Sequence, residues 1–395
     1  MEKKERPRKF LSADNYPIVV HSHLGWDWVW QRPQQFISRL AQRHRVLFIE
    51  RPVRAPEIYR TEKTLRKIPE HPNVVVLQMK VPANHWKDGH WIDQERRRIV
   101  QQLLVERLGD EFESPVQWFY DPMAVTAFAG HLNERAIVYD CMDELSLFRN
   151  APPELVSRER ELLSLADVVF TGGPQIYEAK RRVNANCFCF GCGVDHEHFG
   201  KARKTGVSLP PELHDLPRPI FGYIGVVDER IDYELLAKLA DSTSGSVIIL
   251  GPSTKVDPAT FPRRTNLHWL GRRDYAQLPT YAKSFAVCLM PFALNEATRF
   301  INPTKALEYM ATGRPIVSTP VRDVVSQFSD VVLIAHNHDQ FIAACEQGAS
   351  LPDADRIRRG LALAERNSWE SIVSQLERHI DDVLASKLNL QTDAA

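Results

Sequence analysis

The chain has 395 residues, 44% hydrophobic and 25% charged, with 50 Lys+Arg against 50 Asp+Glu. That length predicts two α/β domains rather than one, and a formal net charge of +0 speaks against a nucleic-acid partner held by bulk positive charge. No run of eighteen apolar residues occurs, and the charged first ten residues carry no apolar signal core, so a cytoplasmic protein without a transmembrane helix is expected.

In chain order, residues 1–15 read as a flexible arm and Pro17–Ser22 as the first strand. The following stretch, HLGWDWVWQRP (His23–Pro33), lies where an α/β sheet offers its ligand crevice, past the C-terminal end of a strand. Gly25 permits close backbone approach. Trp26 either fills the core or stacks on an acceptor sugar, whereas Trp30 is assigned to the core. Arg32 is placed to meet a phosphate or to bind a carboxylate inside the core. A helix starts at Pro33, with Phe36, Ile37 and Leu40 apolar.

Arg45–Glu50 and Val74–Met79 are further strands. Lys63, Arg66, Lys67, the HWKDGHWI stretch (His85–Ile92) and Arg96-Arg97-Arg98 combine basic residues with tryptophan, which suits an anionic membrane surface; a solvated helix face is the alternative. After strands Val116–Tyr120 and Ala136–Tyr139 come Asp140 and Asp143, carboxylates at the mouth of a cleft where an acceptor hydroxyl would need a base. Asp143 also reads as a helix cap. Asp27, between two tryptophans, completes the candidate catalytic carboxylates. Cys187, Cys189 and Cys192 crowd one stretch; zinc would need a second Cys or His pair, which His196 and His198 could offer, but small buried residues of a reduced protein are the preferred reading and no metal is expected.

Residues 200–217 are polar and include Pro210-Pro211, the pattern of an interdomain linker. Pro219–Gly225, Ser246–Gly251, Asn266–Gly271 and Ala286–Pro291 are strands of a second sheet, with an amphipathic helix around Leu235, Leu236 and Leu239. In RFINPTKALEYMATGRPIVST (Arg299–Thr319), Asn302-Pro303-Thr304 reads as a helix start, Gly313 as its stop, and Ile316–Thr319 as a buried strand. The helix N-terminus favours a phosphate, Lys305 adds a cation, and Glu308 one turn on can accept from sugar hydroxyls.

This helix–Gly–Xaa–Pro–strand pattern resembles the donor-nucleotide motif of GT-B glycosyltransferases, above all family 4. By that resemblance Glu308 holds the ribose of a nucleotide sugar, while the slot of the family's first Glu holds Phe300. Gly193-Val194-Asp195 with Phe199 resembles the family's Asn-Gly-Val-Asp…Phe signature, with Cys192 in place of Asn. Met142 and Asp143 occupy its His and Asp slots; after Gly225 the Arg slot holds Val226, and Arg230 falls nearest the Lys slot. Trp369-Glu370 matches the start of a final helix that crosses back to the first domain. The stretches GWDWVWQRP and NPTKALEYMA are similar to those of teichuronic-acid-type surface polysaccharide transferases.

The resemblance implies an α/β GT-B fold. A Rossmann-like acceptor domain would span residues 16–199 and a Rossmann-like donor domain residues 218–365, with a crossover helix over 366–388. It implies transfer from a nucleotide diphosphate sugar, a UDP-sugar by preference, to a glycan or lipid-linked acceptor, without a cofactor or a metal. Gly225, Arg230, Asn302, Thr304, Lys305 and Glu308 would hold the donor, and Gly25, Trp26 and Arg32 would face acceptor or diphosphate. Family 4 membership implies retention of configuration; the missing first Glu and the Asp140/Asp143 pair leave inversion open. A GT-B domain that only binds sugar nucleotide, and a UDP-sugar epimerase, are the alternatives.

Overall fold

The computed structural model describes residues 15–393 except Val207, Lys255, Phe300, Asn302 and Pro303. The arm of residues 1–14 and the Asn302-Pro303 helix start, with the Asn302 donor contact and the Phe300 slot, therefore lie outside the described residues.

The first sheet contains β1 (Ile18–His21), β2 (Val46–Ile49), β3 (Val53–Ala55), β4 (Glu62–Ile68), β5 (His71–Pro82), β6 (Val116–Phe119), β7 (Ala136–Cys141), β8 (Val168–Thr171) and β9 (Cys187–Cys189). Its order is β3-β5-β2-β1-β6-β7-β8-β9, parallel throughout, with β4 antiparallel on β5. The central strands are fully buried and mostly apolar, which is what helices on both faces of a parallel sheet demand. The chain runs from β1 to β2 on one side and later returns to place β6 on the other. The order thus reverses between β1 and β6, and such a switch point opens a crevice beyond the strand ends.

The second sheet contains β10 (Ile220–Ile224), β11 (Ser246–Leu250), β12 (Leu267–Gly271), β13 (Val287–Met290), β14 (Ile316–Ser318) and β15 (Leu333–Ile334), in the order β12-β11-β10-β13-β14-β15 and all parallel. Here the order reverses between β10 and β13.

The polar stretch 200–217 is less of a free connector than its composition suggests. Ala202 and Leu213 are buried in the second core together with Val194 and Phe199. A few apolar residues spaced among charges suffice to pin such a segment. The last helix, Trp369–Asp393, returns to the first sheet, where Trp369, Ile372, Val373, Leu376 and Ile380 join its core. Ion pairs Arg39–Glu370 and Lys387–Asp167, at 2.7 and 2.6 Å, hold its two ends. Gly193 accommodates the return: a Cβ there would stand 2.7 Å from the Trp369 ring.

Candidate functional site

The C-terminal edges of the two sheets face one cleft. The loop after β1 crosses it and is fixed from both sides. Glu50 Oε1 accepts from Trp26 N at 2.8 Å, and Gln34 Nε2 donates to the carbonyls of Gly25 and Trp26. From the second sheet, Arg272 Nη2 donates to the Asp27 carbonyl at 2.8 Å. Two cavities share Asp27 and Trp28 of this loop: one of about 920 Å³ mostly against the first sheet, one of about 350 Å³ reaching into the second.

Gly225, Gly251, Arg272, Tyr275 and Lys305 line the smaller cavity. Gly251 sits at φ +146° with its Cβ position 1.7 Å from the Gly225 carbonyl oxygen, so only glycine fits where the ends of β10 and β11 meet. The helix Lys305–Thr312 ends on Gly313 in the left-handed region at φ +69°, as the sequence predicts. Its start differs. Thr304 already has helical angles and makes no cap bond; its hydroxyl donates instead to Cys192 Sγ at 3.0 Å. Lys305 Nζ donates to Glu308 Oε2 at 2.6 Å. Glu308 itself is 5% exposed and touches the cavity only through Lys305.

Two expected ligand contacts are redirected inward. Arg32 is not placed to meet a phosphate: its Nη2 lies 2.8 Å from Asp140, its Nη1 donates to the Phe190 carbonyl at 2.6 Å, and its guanidinium covers Phe36. Asp140, 0% exposed, is thereby spent as the counter-ion and cannot reach an acceptor, which corrects the expectation of a catalytic base there. Desolvating either charge alone would be prohibitive, so the two are buried together. Trp26 likewise resolves to core, edge-on to Phe48 and Trp30. Gly25 lines the larger cavity, and the neighbour a Cβ there would meet is the Glu50 carboxylate at 3.6 Å.

Asp143 and Arg230 do line the larger cavity. Arg230 is clamped by Asp228 through Nε at 2.9 Å and Nη2 at 2.7 Å. Burial works against its charge, but the Asp228 bonds outweigh that and hold its pKa above the ordinary value. A free phosphate clamp, as expected for Arg230, would need this pair to open. Asp27 is exposed and pairs with Arg66 at 2.8 Å.

The basic stretch is partly consumed: Arg96 is 4% exposed, Arg97 donates to the Ala127 and Thr126 carbonyls, and Arg98 pairs with Glu95. Among the described residues no helix is long and apolar enough to cross a membrane, and no group of three or more His, Cys, Asp or Glu is arranged to hold a metal ion.

Sequence reading missed His23, Asp121, Asp228 and Tyr275. His23 and Asp121 line the larger cavity, each two residues past a strand end, and that position was their only signal. Tyr275 lines the smaller one; its hydroxyl is buried without a hydrogen-bond partner, and its ring stacks on His198 at 4.2 Å.

Residues 218–350 match the family model "Glycosyl transferases group 1". The chain is 24% identical over 271 residues to the putative teichuronic acid biosynthesis glycosyltransferase TuaH of Bacillus subtilis, covering 62% of this chain and 66% of that relative. Among solved structures it is similar to a sucrose-phosphate synthase from Thermosynechococcus elongatus, with a TM-score of 0.67, 17% identity and coverage of 94% of this chain and 100% of that one. It is also similar to an α,α-trehalose-phosphate synthase (UDP-forming) from Burkholderia xenovorans in complex with glucose-6-phosphate, with a TM-score of 0.66, 13% identity and coverage of 92% and 99%. An E. coli trehalose-6-phosphate structure bound with UDP-2-fluoro glucose aligns with a TM-score of 0.62, 14% identity and coverage of 92% and 98%. At these identities the structures establish the fold. The chain has the GT-B architecture of these structures, and the stretch that resembles the glycosyl transferases group 1 model spans most of its second sheet.

Proposed function

We propose that the protein is a glycosyltransferase that moves a sugar from a nucleotide diphosphate donor, a UDP-sugar, to a glycan or lipid-linked acceptor in surface polysaccharide assembly. The observation that carries this reading is the 350 Å³ cavity at the switch point of the second sheet, where Gly225, Gly251 and Lys305 meet. Glycines at strand ends admit a diphosphate close to backbone, and a helix start with a lysine favours its charge. Charge stabilisation of that kind acts on the leaving diphosphate, where the transition state gathers negative charge. The preference for UDP draws on the UDP-forming and UDP-2-fluoro glucose structures above, and the pathway on the teichuronic acid relative. No resident cofactor is part of the proposal.

A second reading is a GT-B protein that binds sugar nucleotide without turnover. Val226 in the Arg slot and the Arg230–Asp228 clamp favour it. The test is a thermal-shift panel of UDP-, GDP-, ADP- and dTDP-sugars on wild type and Glu308→Ala, followed by release of nucleoside diphosphate. A ligand at about 100 times its Kd adds roughly 2.7 kcal/mol of stability. A shift with one base that Glu308→Ala removes supports the donor site; binding without release supports the second reading; no shift with any donor overturns both. A cytoplasmic location with peripheral contact to an anionic membrane would rest on exposed Lys63, Lys67 and Lys87. Liposomes containing phosphatidylglycerol that fail to float the protein would remove that part.

A further inference from the structure

The wall of the larger cavity contains a buried cation that the chain leaves underpaired. The helix Gly89–Leu103 buries Asp93, Arg96, Ile99, Val100 and Leu103, and two opposite charges one turn apart on such a stripe would be expected to pair. Here they barely do. Arg96 Nη1 comes only within 3.9 Å of Asp93 Oδ1, while Asp93 Oδ2 lies 2.8 Å from Arg158 Nη1. Arg158 Nη1 also donates to the Met123 carbonyl at 2.9 Å. Arg96 is 4% exposed, lines the cavity, and has its Nε enclosed without a hydrogen-bond partner. Its guanidinium carbon lies 5.3 Å from the centre of the Phe128 ring, which favours the cation but accepts none of its N–H groups in the ring plane. A buried cation in that state is costly unless a group in the cavity completes it.

The charges around Arg96 do not balance. Burial lowers its pKa most; Asp121 and Asp93 oppose that, and Arg158 and Arg51 add to it. Three guanidiniums thus stand against two carboxylates, and all five residues line the 920 Å³ cavity. Asp121 is 5% exposed, and its Oδ1 already accepts from Met123 N at 3.0 Å. Arg51 is exposed and has no carboxylate partner among the described residues. His23, in the same wall, adds no charge near pH 7, because burial lowers its pKa from 6.5. The wall as a whole carries seven cations and seven carboxylates, but unevenly. Arg66 faces both Asp27 and Glu50, and Arg230 is matched by Asp228. The Arg96 end is left with one positive charge in excess.

We propose that this end of the cavity is an oxyanion subsite, and that the acceptor is an acidic sugar whose single carboxylate binds Arg96, with Arg51 and Arg158 beside it. This rests on the glycosyltransferase reading above. The parallel N–H groups of a guanidinium match the two oxygens of a carboxylate. One negative charge also matches the excess of one, whereas a phosphate monoester would bring close to two. A hydroxyl of a neutral sugar could accept one bond from Arg96 but would leave its charge unanswered.

The test is calorimetric titration of the full chain, saturated with UDP, using methyl glucuronide, methyl glucoside and glucose 6-phosphate as probes at low and high salt. UDP release from UDP-sugars is measured separately. The glucuronide should bind about tenfold or more tightly than the glucoside, and high salt should shrink that preference. Arg96→Gln should abolish the preference while keeping the UDP-induced thermal shift, which reports folding, because Arg96 does not line the smaller cavity. Arg51→Gln, at an exposed position, should weaken the glucuronide about two- to fivefold and leave the glucoside unchanged. Equal binding of glucuronide and glucoside, binding of neither, or a preference that survives Arg96→Gln overturns the subsite, and the glycosyltransferase reading then stands or falls on UDP release alone. Glucose 6-phosphate bound more tightly than the glucuronide overturns the single carboxylate. A glucuronide preference lost in Arg96→Gln, in a protein that releases UDP from no donor, overturns the acceptor role together with the transferase reading and leaves the oxyanion subsite.

Discussion

Arg32→Met should unfold the first domain early and should not act through the chemistry. The substitution removes the three contacts to Asp140 at 2.8, 2.9 and 3.2 Å and the bond to the Phe190 carbonyl at 2.6 Å. It leaves a carboxylate that is 0% exposed without a partner. Breaking a buried pair from one side costs about 3–5 kcal/mol. For a domain of this size, each kcal/mol moves Tm by about 2–4 °C, which gives a fall of about 6–20 °C. The double variant Arg32→Met/Asp140→Leu removes both charges and should recover about 2 kcal/mol or more of that loss, because a buried pair is often worth no more than apolar residues of like volume. The assay is a four-corner cycle of wild type, both single variants and the double, by calorimetry and urea titration, with donor turnover measured on each at a temperature where all are folded. Turnover per folded molecule should change little in Asp140→Asn. An Asp140→Asn protein as stable as wild type but 100-fold slower would refute this reasoning and return Asp140 to the chemistry.

Three further outcomes follow from single residues. Glu377 anchors the returning helix through His44 at 3.1 Å and through Arg43; burial opposes its charge, but these bonds outweigh it and hold its pKa below 4.5. A depressed folded pKa contributes stability that is complete above pH 4.5 and is lost as pH falls through the folded value, so acid should loosen the Trp369–Asp393 helix first, and Glu377→Gln should erase that dependence in a pH series of Tm. Asp323 is the opposite case: buried with both oxygens unpartnered, its pKa is raised to about 6 by desolvation. The penalty grows as pH rises from 3.8 to about 6, so Asp323→Asn should gain about 1 kcal/mol at pH 7, after solvent screening, and nothing below pH 3.8; an equal gain at pH 3.5 would count against it. Gly251→Ala meets the Gly225 carbonyl at 1.7 Å with φ at +146° and should cost well over 1 kcal/mol and abolish donor-induced stabilisation, whereas donor binding at wild-type affinity would show that the β10 and β11 ends need not touch.

What could be read from the sequence divides along a physical line. Strands such as VLFI, and VIIL within SVIIL, are continuous apolar runs, and burial on both faces is what such runs imply. β4, EKTLRKI, does not read as a strand, because it is an exposed antiparallel addition whose charges read as a basic patch. Its Arg66 turns out to reach Asp27 and Glu50 and to help fix the cleft loop. Local spacing correctly placed Lys305 beside Glu308, since three residues on a helix are neighbours whatever the fold. It offered Arg32 either a phosphate or a carboxylate in the core, but could not name Asp140, 108 positions away, as that carboxylate.

The same limit hid His23. A histidine after a first strand is unremarkable by itself, and Asp121 after another strand is a turn residue. Only the order β2-β1-β6-β7 sets them side by side over the crevice. The family motif directed attention to Asp143 and the empty histidine slot at Met142. The imidazole absent from the slot after β7 contrasts with the one this sheet edge does carry, past β1 with β6 between, and strand order rather than motif position is what reveals it.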